Sequence, residues 1–330
     1  MSALNCLKLR DFRCHSELNL ALRKADWVVL AGGNGAGKTS LLEAIYAATR
    51  GRSFRAHPAS EVIRQGAAEA NVLIEAESSC RHRLGVVFGR HSRTLHLDGS
   101  PVSSMAEVTS AIPIEYIGGT AHYLVDGTPA AHRRFLDWGL FHVEPRFLAT
   151  WRAWHRAHRQ RNEWLRRGDY PASEGWTAAV IEHGEALSRM RAELVERLAA
   201  ALESVTWAEL QGAALDIRFN RGWREDSFAE ALSRSAKRER KIGRAVVGPQ
   251  YDDWSLECDG LRAAQLSRGQ SKLAGFFLLH VLAKLMREAG RAPVLLVDDF
   301  LADLDSESSR RAVRALSEAG GQVWIAVREE

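Results

Sequence analysis

A glycine-rich segment near the N-terminus has the residue types and spacing of a phosphate-binding loop. Residues 32–39 read Gly-Gly-Asn-Gly-Ala-Gly-Lys-Thr and match the pattern G-x-x-x-x-G-K-[ST]. An apolar run from Trp27 to Ala31 precedes the loop, and an apolar stretch with helical spacing begins at Leu41. A strand, a glycine-rich turn and a helix in this order point backbone N–H groups at an anion. The segment therefore predicts nucleoside triphosphate binding rather than a turn that only links a strand to a helix.

Each residue type in this loop has its own expected role. Lys38 is expected at the β- and γ-phosphates, and the Thr39 hydroxyl is expected to bind Mg²⁺. The predicted cofactor-binding residues share one loop and the first turn of the following helix; they are Gly32, Asn34, Gly35, Ala36, Gly37, Lys38, Thr39 and Ser40.

A second constellation lies near the other end of the chain. An apolar run from Pro293 to Val297 is followed by two acids, Asp298 and Asp299. A buried strand that brings a carboxylate next to a phosphate-binding loop supplies what Mg²⁺ coordination requires, and a neighbouring carboxylate can polarise the attacking water. We therefore predict Asp298 as a metal ligand, with Asp299 and Lys38 as the catalytic residues. The alternative, a buried strand that merely ends in two exposed acids, is disfavoured by the presence of the loop.

Composition excludes several classes of protein. The chain has 330 residues, 46% of them hydrophobic, and a formal net charge of +4. Its four cysteines show no C-x-x-C spacing, so neither a disulfide framework nor a zinc site is expected. No run approaches the roughly 18 apolar residues of a membrane span. We expect a cytoplasmic protein without a membrane partner. The net charge alone does not show whether the basic residues bind an anionic partner or only form a solvated surface of mixed charge.

The elements that must position these residues form three blocks. In the first block, strand-like alternation and the helix after the phosphate-binding loop, which should stop at Gly51, predict an α/β lobe. The second block, from about Pro129 onward, is predicted to be mainly helical. The third block again has the pattern of alternating strands and helices. This predicts an NTPase lobe formed by residues 1–125 and 246–330, with residues 126–245 inserted as a helical lobe.

Two features of the helical block have alternative interpretations. Trp151, Trp154, His155 and His158 share one helical face between arginines, which suits either base stacking or core packing, and core packing is favoured. The basic stretch from 234 to 244 is either a phosphate-contacting loop or, as we favour, a solvated helix end.

The segment Leu266-Ser267-Arg268-Gly269-Gln270 resembles the signature L-S-[GR]-G-Q of ABC-type ATPases. A helix N-terminus with Ser and Gly suits a γ-phosphate. The resemblance implies that ATP is the nucleotide, that Ser267, Gly269 and Gln270 bind the γ-phosphate held by the opposite subunit, and that ATP closes a homodimer. Residues 302–305 resemble the dimer-contacting loop of that family.

The chain as a whole resembles the RecF family of bacterial repair proteins, within the branch whose heads are like those of structural-maintenance-of-chromosomes proteins. The matching segments run in order along the chain; they are residues 10–13, 51–55, 133–139, 141–142, 144–145, 160–162, 221–223 and 266–270. The resemblance implies an α/β fold of the P-loop, ABC-ATPase head type and an ATP-driven clamp on gapped DNA that works with RecR and RecO type mediators to load the recombinase. The candidate DNA contacts are Arg133, Arg134, Arg159, Lys237 and Arg238.

Some positions depart from the family pattern. Gly119-Thr120 replaces a usual Pro-acid pair, Gln250-Tyr251 replaces His-Arg, Ala302 replaces Ser, and the chain stops at Glu330 where relatives continue. These departures leave a hydrolysis-deficient ATP-binding scaffold as an alternative. A transporter-energising ABC subunit is disfavoured, because the segment between loop and signature is too long.

Overall fold

The computed structural model describes residues 2–22, 25–55, 59–118, 121–203, 215–258, 260–262, 265–300, 304, 306–319 and 321–328. The chain divides into two compact units, residues 1–121 with 279–330, and residues 122–278. Residues 246–278 therefore belong to the second compact unit, whereas their sequence pattern predicts that they belong to the NTPase lobe. The functional assignment of that segment stays a prediction.

Strands predominate in the N-terminal third of the chain, helices predominate in its middle, and helices and strands alternate near its C-terminal end. The strands are β1 (Ala3–Phe12), β2 (His15–Ala21), β3 (Trp27–Gly32), β4 (Glu69–Glu77), β5 (Arg81–Gly89), β6 (Arg93–Leu97), β7 (Ser100–Pro101), β8 (Ile114–Gly118), β9 (Leu215–Asn220), β10 (Asp253–Cys258), β11 (Leu261–Arg262), β12 (Val294–Asp298) and β13 (Val323–Arg328). The helices are α1 (Lys38–Arg50), α2 (Met105–Ala111), α3 (Pro129–Val143), α4 (Phe147–Arg167), α5 (Tyr170–Gly175), α6 (Thr177–Glu203), α7 (Phe228–Ile242), α8 (Arg268–Glu288) and α9 (Ser306–Ala319).

A four-stranded parallel sheet in the first unit positions the loop and the acids. Its order is β3-β13-β12-β8, and all neighbouring strands are parallel. Every residue of β12 is buried, which suits a central strand covered on both faces. Since parallel strands end at the same edge of a sheet, the loop after β3 and the acids at the end of β12 lie at one edge.

An antiparallel sheet of six strands, in the order β2-β1-β4-β5-β6-β7, forms the rest of this unit's framework. Its strands bury alternate residues, among them Val72 and Ile74 of β4. These side chains share one core with Ile45 of α1 and with Leu296 and Trp324 of the parallel sheet. Helix α1 is buried from residue 40 to 49, because its neighbours cover it on all sides. It ends at Gly51 in the left-handed conformation, as predicted.

The second unit is mainly helical, as predicted, but it also contains an antiparallel sheet in the order β11-β10-β9 that the sequence analysis did not predict. Trp154 on α4 is 2% exposed, which confirms core packing for this tryptophan. Most of the basic stretch forms the C-terminal part of α7, so it is helical rather than a loop, and its contact with phosphates stays a prediction. Within the part of the chain that the structure describes, no helix is long and apolar enough to cross a membrane.

Candidate nucleotide-binding site

The loop between β3 and α1 has the backbone geometry of an anion cradle. Gly35 (φ +82°) and Gly37 (φ +90°) adopt the left-handed conformation, which is costly for residues with a Cβ atom. Gly37 caps the N-terminus of α1, so the loop leads directly into the positive end of the helix dipole. The loop residues from 33 to 36 are exposed. Backbone and helix together therefore present an accessible site for a phosphate group.

The turn between β1 and β2 packs tightly on this loop. A Cβ atom on Gly37 would lie 2.6 Å from His15 Nε2 and 2.8 Å from Cys14 Sγ. Arg13 anchors the turn, because its Nε and Nη2 donate to the two carboxylate oxygens of the buried Glu43 on α1, at 3.0 and 2.6 Å. Sequence reasoning missed Cys14 and His15, since their approach to the loop depends on the pairing of β1 with β2.

Lys38 lies against the loop backbone. Its Nζ donates to the Gly32 carbonyl at 2.6 Å and to the Gly33 carbonyl at 2.9 Å. These contacts hold a compact positive charge at the loop, where phosphate oxygens would compete for the same three N–H donors.

Thr39 and Asp298 are brought together from opposite ends of the chain. The Thr39 hydroxyl donates to Asp298 Oδ1 at 3.0 Å, and Asp298 is only 6% exposed. Burial and the nearby charge of Asp299 raise the pKa of the Asp298 carboxyl, against the opposing effect of the Thr39 hydrogen bond. A cation at this position would offset the cost of the buried negative charge.

The donors at this position fit Mg²⁺. A hydroxyl and a carboxylate are hard oxygen ligands, and Mg²⁺ is commonly held by one or two protein donors together with phosphates and water. Among the described residues, no cluster of three or more His, Cys, Asp or Glu side chains could hold a metal. The site therefore suits an ion that arrives with a nucleotide rather than one enclosed by protein ligands.

Asp299 follows the end of β12 in a strained conformation. The φ angle of Asp299 is +50°, a conformation that costs a non-glycine residue about 1 kcal/mol. Asp299 is exposed, whereas its neighbours on either side in the chain are buried. The turn of the backbone at this residue presents a solvent-accessible carboxylate next to Asp298. That placement is compatible with the predicted catalytic role, which stays a prediction.

Tyr116, on the neighbouring strand β8, is a polar partner that sequence reasoning missed. Its hydroxyl donates to Asp298 Oδ2 at 3.5 Å, and its ring stacks on Phe54 with centroids 3.9 Å apart. A Cβ atom on Gly118 would lie 2.3 Å from the Tyr116 hydroxyl, so glycine is required for the ring to reach the carboxylate. The only sequence signal was a tyrosine two residues before the end of a strand.

The signature segment begins α8 with a reciprocal cap. Ser267 Oγ accepts from Gln270 N at 3.2 Å, and Gln270 Oε1 accepts from Ser267 N at 2.9 Å. This is a capping box, and it orders the helix N-terminus. Ser267 and Gly269 are exposed. Their predicted contact with a nucleotide of the opposite subunit stays a prediction.

The candidate DNA-contacting residues fall into two groups. Arg134, Arg159, Lys237 and Arg238 are exposed on helices of the second unit. Arg133 is instead engaged within its own unit: its Nη1 donates to the Asp252 carbonyl at 2.9 Å, and burial lowers its pKa.

The departures at Gly119-Thr120 and Ala302 lie outside the described residues, so the structure does not bear on them. Gln250 is described, and its Nε2 donates to the Val247 carbonyl at 2.8 Å.

Comparison with known proteins gives one consistent result. Residues 3–329 match the family model described as "RecF/RecN/SMC N terminal domain". The chain is 36% identical over 313 residues to the DNA replication and repair protein RecF of Xanthomonas euvesicatoria, covering 91% of this chain and 85% of the relative. It is 34% identical over 329 residues to that of Yersinia pestis, covering 98% and 91%.

Solved structures show the same fold. The recombination mediator protein RecF with ATP superposes with a TM-score of 0.86 at 19% identity, covering all of this chain and 92% of that one. The Smc head domain from Pyrococcus furiosus gives a TM-score of 0.61 at 15% identity, covering 100% and 90%. The predicted α/β fold of the ABC-ATPase head type is confirmed.

Proposed function

The chain belongs to the RecF family, and we propose that it is an ATP-dependent DNA-binding protein of replication and recombinational repair. The observation that carries the proposal is the 3.0 Å contact between Thr39 and Asp298, which joins the phosphate-binding loop to the acidic strand. Relatives at 34–36% identity are named DNA replication and repair proteins, and a structure of the same fold is of a RecF–ATP complex. The reaction we infer is slow hydrolysis of ATP to ADP and phosphate, stimulated by DNA.

The site residues divide the work of nucleotide binding. The N–H groups of residues 34–40 and the Lys38 ammonium hold the β- and γ-phosphates, while Thr39 and Asp298 hold the magnesium ion. Held by these two residues, a magnesium ion would supply positive charge to offset the charge that develops between these phosphates. Asp299 orients the attacking water and accepts its proton.

We further infer that the active form is a homodimer. The signature residues Ser267, Gly269 and Gln270 lie at an exposed helix N-terminus, which suits the γ-phosphate of a nucleotide bound by a second copy. The dimer closes on duplex DNA next to a single-stranded gap, and RecR and RecO type mediators assist it in loading the recombinase. Hydrolysis releases the clamp.

Steady-state ATP hydrolysis, with and without gapped duplex DNA, tests the proposed function, and Lys38→Met provides the background. DNA-stimulated turnover above that background supports the DNA-gated ATPase. If the parent protein binds a fluorescent ATP analogue but shows no turnover with or without DNA, the ATPase proposal fails.

The alternative function, an ATP-binding scaffold without hydrolysis, is distinguished by a single turnover. At enzyme concentrations above that of ATP, a burst of phosphate equal to the bound nucleotide excludes the scaffold. Absence of phosphate after many minutes, with nucleotide still bound, supports it.

The DNA contacts are tested by salt dependence. Contacts to phosphates release counterions, so the negative slope of log K against log salt should become shallower by about 1 for each contact removed. We expect Lys237→Ala and Arg238→Ala each to make the slope shallower by the same amount on different DNA sequences. The matched control is Arg166→Ala, an exposed arginine on α4 whose guanidinium is paired with Glu163 at 2.8 Å. Equal slopes in all variants would contradict these contacts.

A further inference from the structure

A cysteine, a histidine and an aspartate form a hydrogen-bonded series away from the nucleotide site. Cys80 lies in the turn between β4 and β5. His82 lies on β5, and Asp98 directly follows β6, the neighbour of β5 in the antiparallel sheet. Cys80 Sγ is 3.1 Å from His82 Nε2, and His82 Nδ1 is 2.9 Å from Asp98 Oδ2. The family assignment accounts for none of these three residues.

The order of the three groups matters for their chemistry. Asp98 accepts the N–H of Arg83 at its other oxygen, at 2.7 Å, and this bond, followed by that from His82, lowers the pKa of the Asp98 carboxyl. A carboxylate at Nδ1 keeps the imidazole proton on that nitrogen, so Nε2 has a lone pair facing the thiol. This is the arrangement in which a histidine takes the proton of a cysteine and a third group orients the histidine.

The surroundings of Cys80 suit a reaction with a molecule from solution. Cys80 is exposed, whereas the His82 side chain is only 14% exposed. Accessibility to solvent of this kind is a common property of reactive cysteines. A metal centre is not indicated, since no metal-holding cluster of His, Cys, Asp and Glu occurs in the described part of the chain.

We propose that Cys80 is a nucleophilic thiol site, activated by His82 and oriented by Asp98, that undergoes exchange with low-molecular-weight disulfides. The Cys80 thiol proton passes to His82 Nε2, and the resulting thiolate attacks one sulfur of the disulfide RS–SR. The bond between the two sulfurs breaks, a new bond joins Cys80 Sγ to one of them, and the other leaves as a thiolate that takes the proton from His82. The net products are the mixed disulfide at Cys80 and one molecule of RSH, and a second thiol reverses the reaction.

The chain contains an internal reference for this reaction. Cys14 is the other exposed cysteine, and it lies beside His15 at the N-terminus of α1, so its own rate should not depend on His82. An ordinary thiol is only a few per cent ionised at pH 7, so pairing with an imidazole should raise the reaction rate by about tenfold or more. Both rates can be measured in one sample.

The experiment treats the whole protein with bis(2-hydroxyethyl) disulfide at pH 7 and follows each cysteine by peptide mass spectrometry after acid quenching. We expect His82→Gln, which places a polar amide at this position that cannot accept the proton, to slow the reaction of Cys80 about tenfold without changing the Cys14 rate. A Cys80 rate unaffected by His82→Gln would overturn the proposal. If His82→Gln alters the Cys14 rate as well, Asp98→Asn replaces it under the same criterion.

Discussion

The Thr39 hydroxyl and the Asp298 carboxylate, 259 positions apart in the chain, form a hydrogen bond of 3.0 Å at the edge of the parallel sheet. Thr39 lies in the first turn of the helix that follows the phosphate-binding loop, and Asp298 ends the buried strand β12. Each residue alone is an ordinary polar group. Together they provide the two hard oxygen donors that a magnesium–nucleotide complex requires.

Replacing Asp299 by Asn should separate closure of the dimer from its release. The substitution removes the carboxylate that we expect to activate water but leaves Thr39 and Asp298 in place. We expect ATP-dependent dimers that persist, with hydrolysis reduced by about 100-fold or more. Size-exclusion chromatography with multi-angle light scattering, after ATP addition, measures this directly.

Lys38→Met is the matched control for this substitution, because loss of the charge at the β- and γ-phosphates should prevent ATP-dependent dimerisation altogether. Asp299→Asn dimers that dissociate as fast as those of the parent protein would show that the role assigned to Asp299 is wrong.

Tyr116→Phe should weaken the binding of Mg²⁺ at the site. The substitution deletes the hydroxyl that donates to Asp298 Oδ2 but keeps the ring that stacks on Phe54. Loss of one hydrogen bond to a charged group corresponds to about 1.5 kcal/mol, so we expect the Mg²⁺ concentration for half-maximal ATP binding to rise about tenfold. A titration of fluorescent ATP binding with Mg²⁺ tests it.

Tyr251→Phe provides the control, since it also removes a hydroxyl hydrogen bond, that to the Ala245 carbonyl, but lies in the other unit. An unchanged Mg²⁺ midpoint for Tyr116→Phe, or an equal shift for Tyr251→Phe, would contradict a specific role of Tyr116.

A buried ion pair between α4 and α7 of the second unit should contribute strongly to the stability of the protein. Arg161 Nη2 donates to Glu239 Oε2 at 2.7 Å, and Glu239 is fully buried. Glu239→Gln would leave the buried guanidinium without its counter-charge, which costs about 3 kcal/mol in free energy of unfolding. Urea unfolding followed by tryptophan fluorescence measures the change.

Glu163→Gln serves as the comparison, because Glu163 pairs with the exposed arginines 166 and 167 and should contribute far less to the free energy of unfolding. If the two substitutions lowered the free energy of unfolding equally, the burial of the Arg161–Glu239 pair would not explain the cost of removing Glu239.

His158 should make the stability of the protein sensitive to mild acid. Burial, with smaller effects of His155 and Arg161, lowers the pKa of His158 to about 4, and Asn162 Nδ2 lies 2.8 Å from its Nε2. Between about pH 6.5 and pH 4 the unfolded chain binds the proton more strongly than the folded chain, so stability falls as the pH decreases through this range. The histidine should account for about 2 kcal/mol of the loss between pH 7 and pH 4.5.

We therefore expect His158→Gln to lose less stability than the parent protein over this interval, measured by urea unfolding at each pH. His91→Gln, at an exposed position, should leave the pH dependence unchanged. If the free energy of unfolding depended on pH in the same way for the parent protein and His158→Gln, the role assigned to His158 would be disproved.

Several features of the molecule follow from short stretches of sequence. The loop from Gly32 to Thr39 and the end of α1 at Gly51 were predicted correctly, because left-handed glycines and helix caps depend on residues only a few positions apart. The all-apolar strand β12 was recognised for the same reason. Local backbone preferences and hydrophobic patterning suffice for such elements.

What depends on pairing between distant segments was decided only by the tertiary structure. The sequence indicated that Asp298 and the loop belong to one site, but the contact with Thr39 requires the order of four parallel strands. The spacing of residues did not indicate that Tyr116 contacts Asp298, or that Arg133 donates a hydrogen bond to the Asp252 carbonyl. Side chains become neighbours through strand register and core packing, which many residues determine jointly, and a motif of a few residues therefore specifies a chemistry without specifying all the groups that complete it.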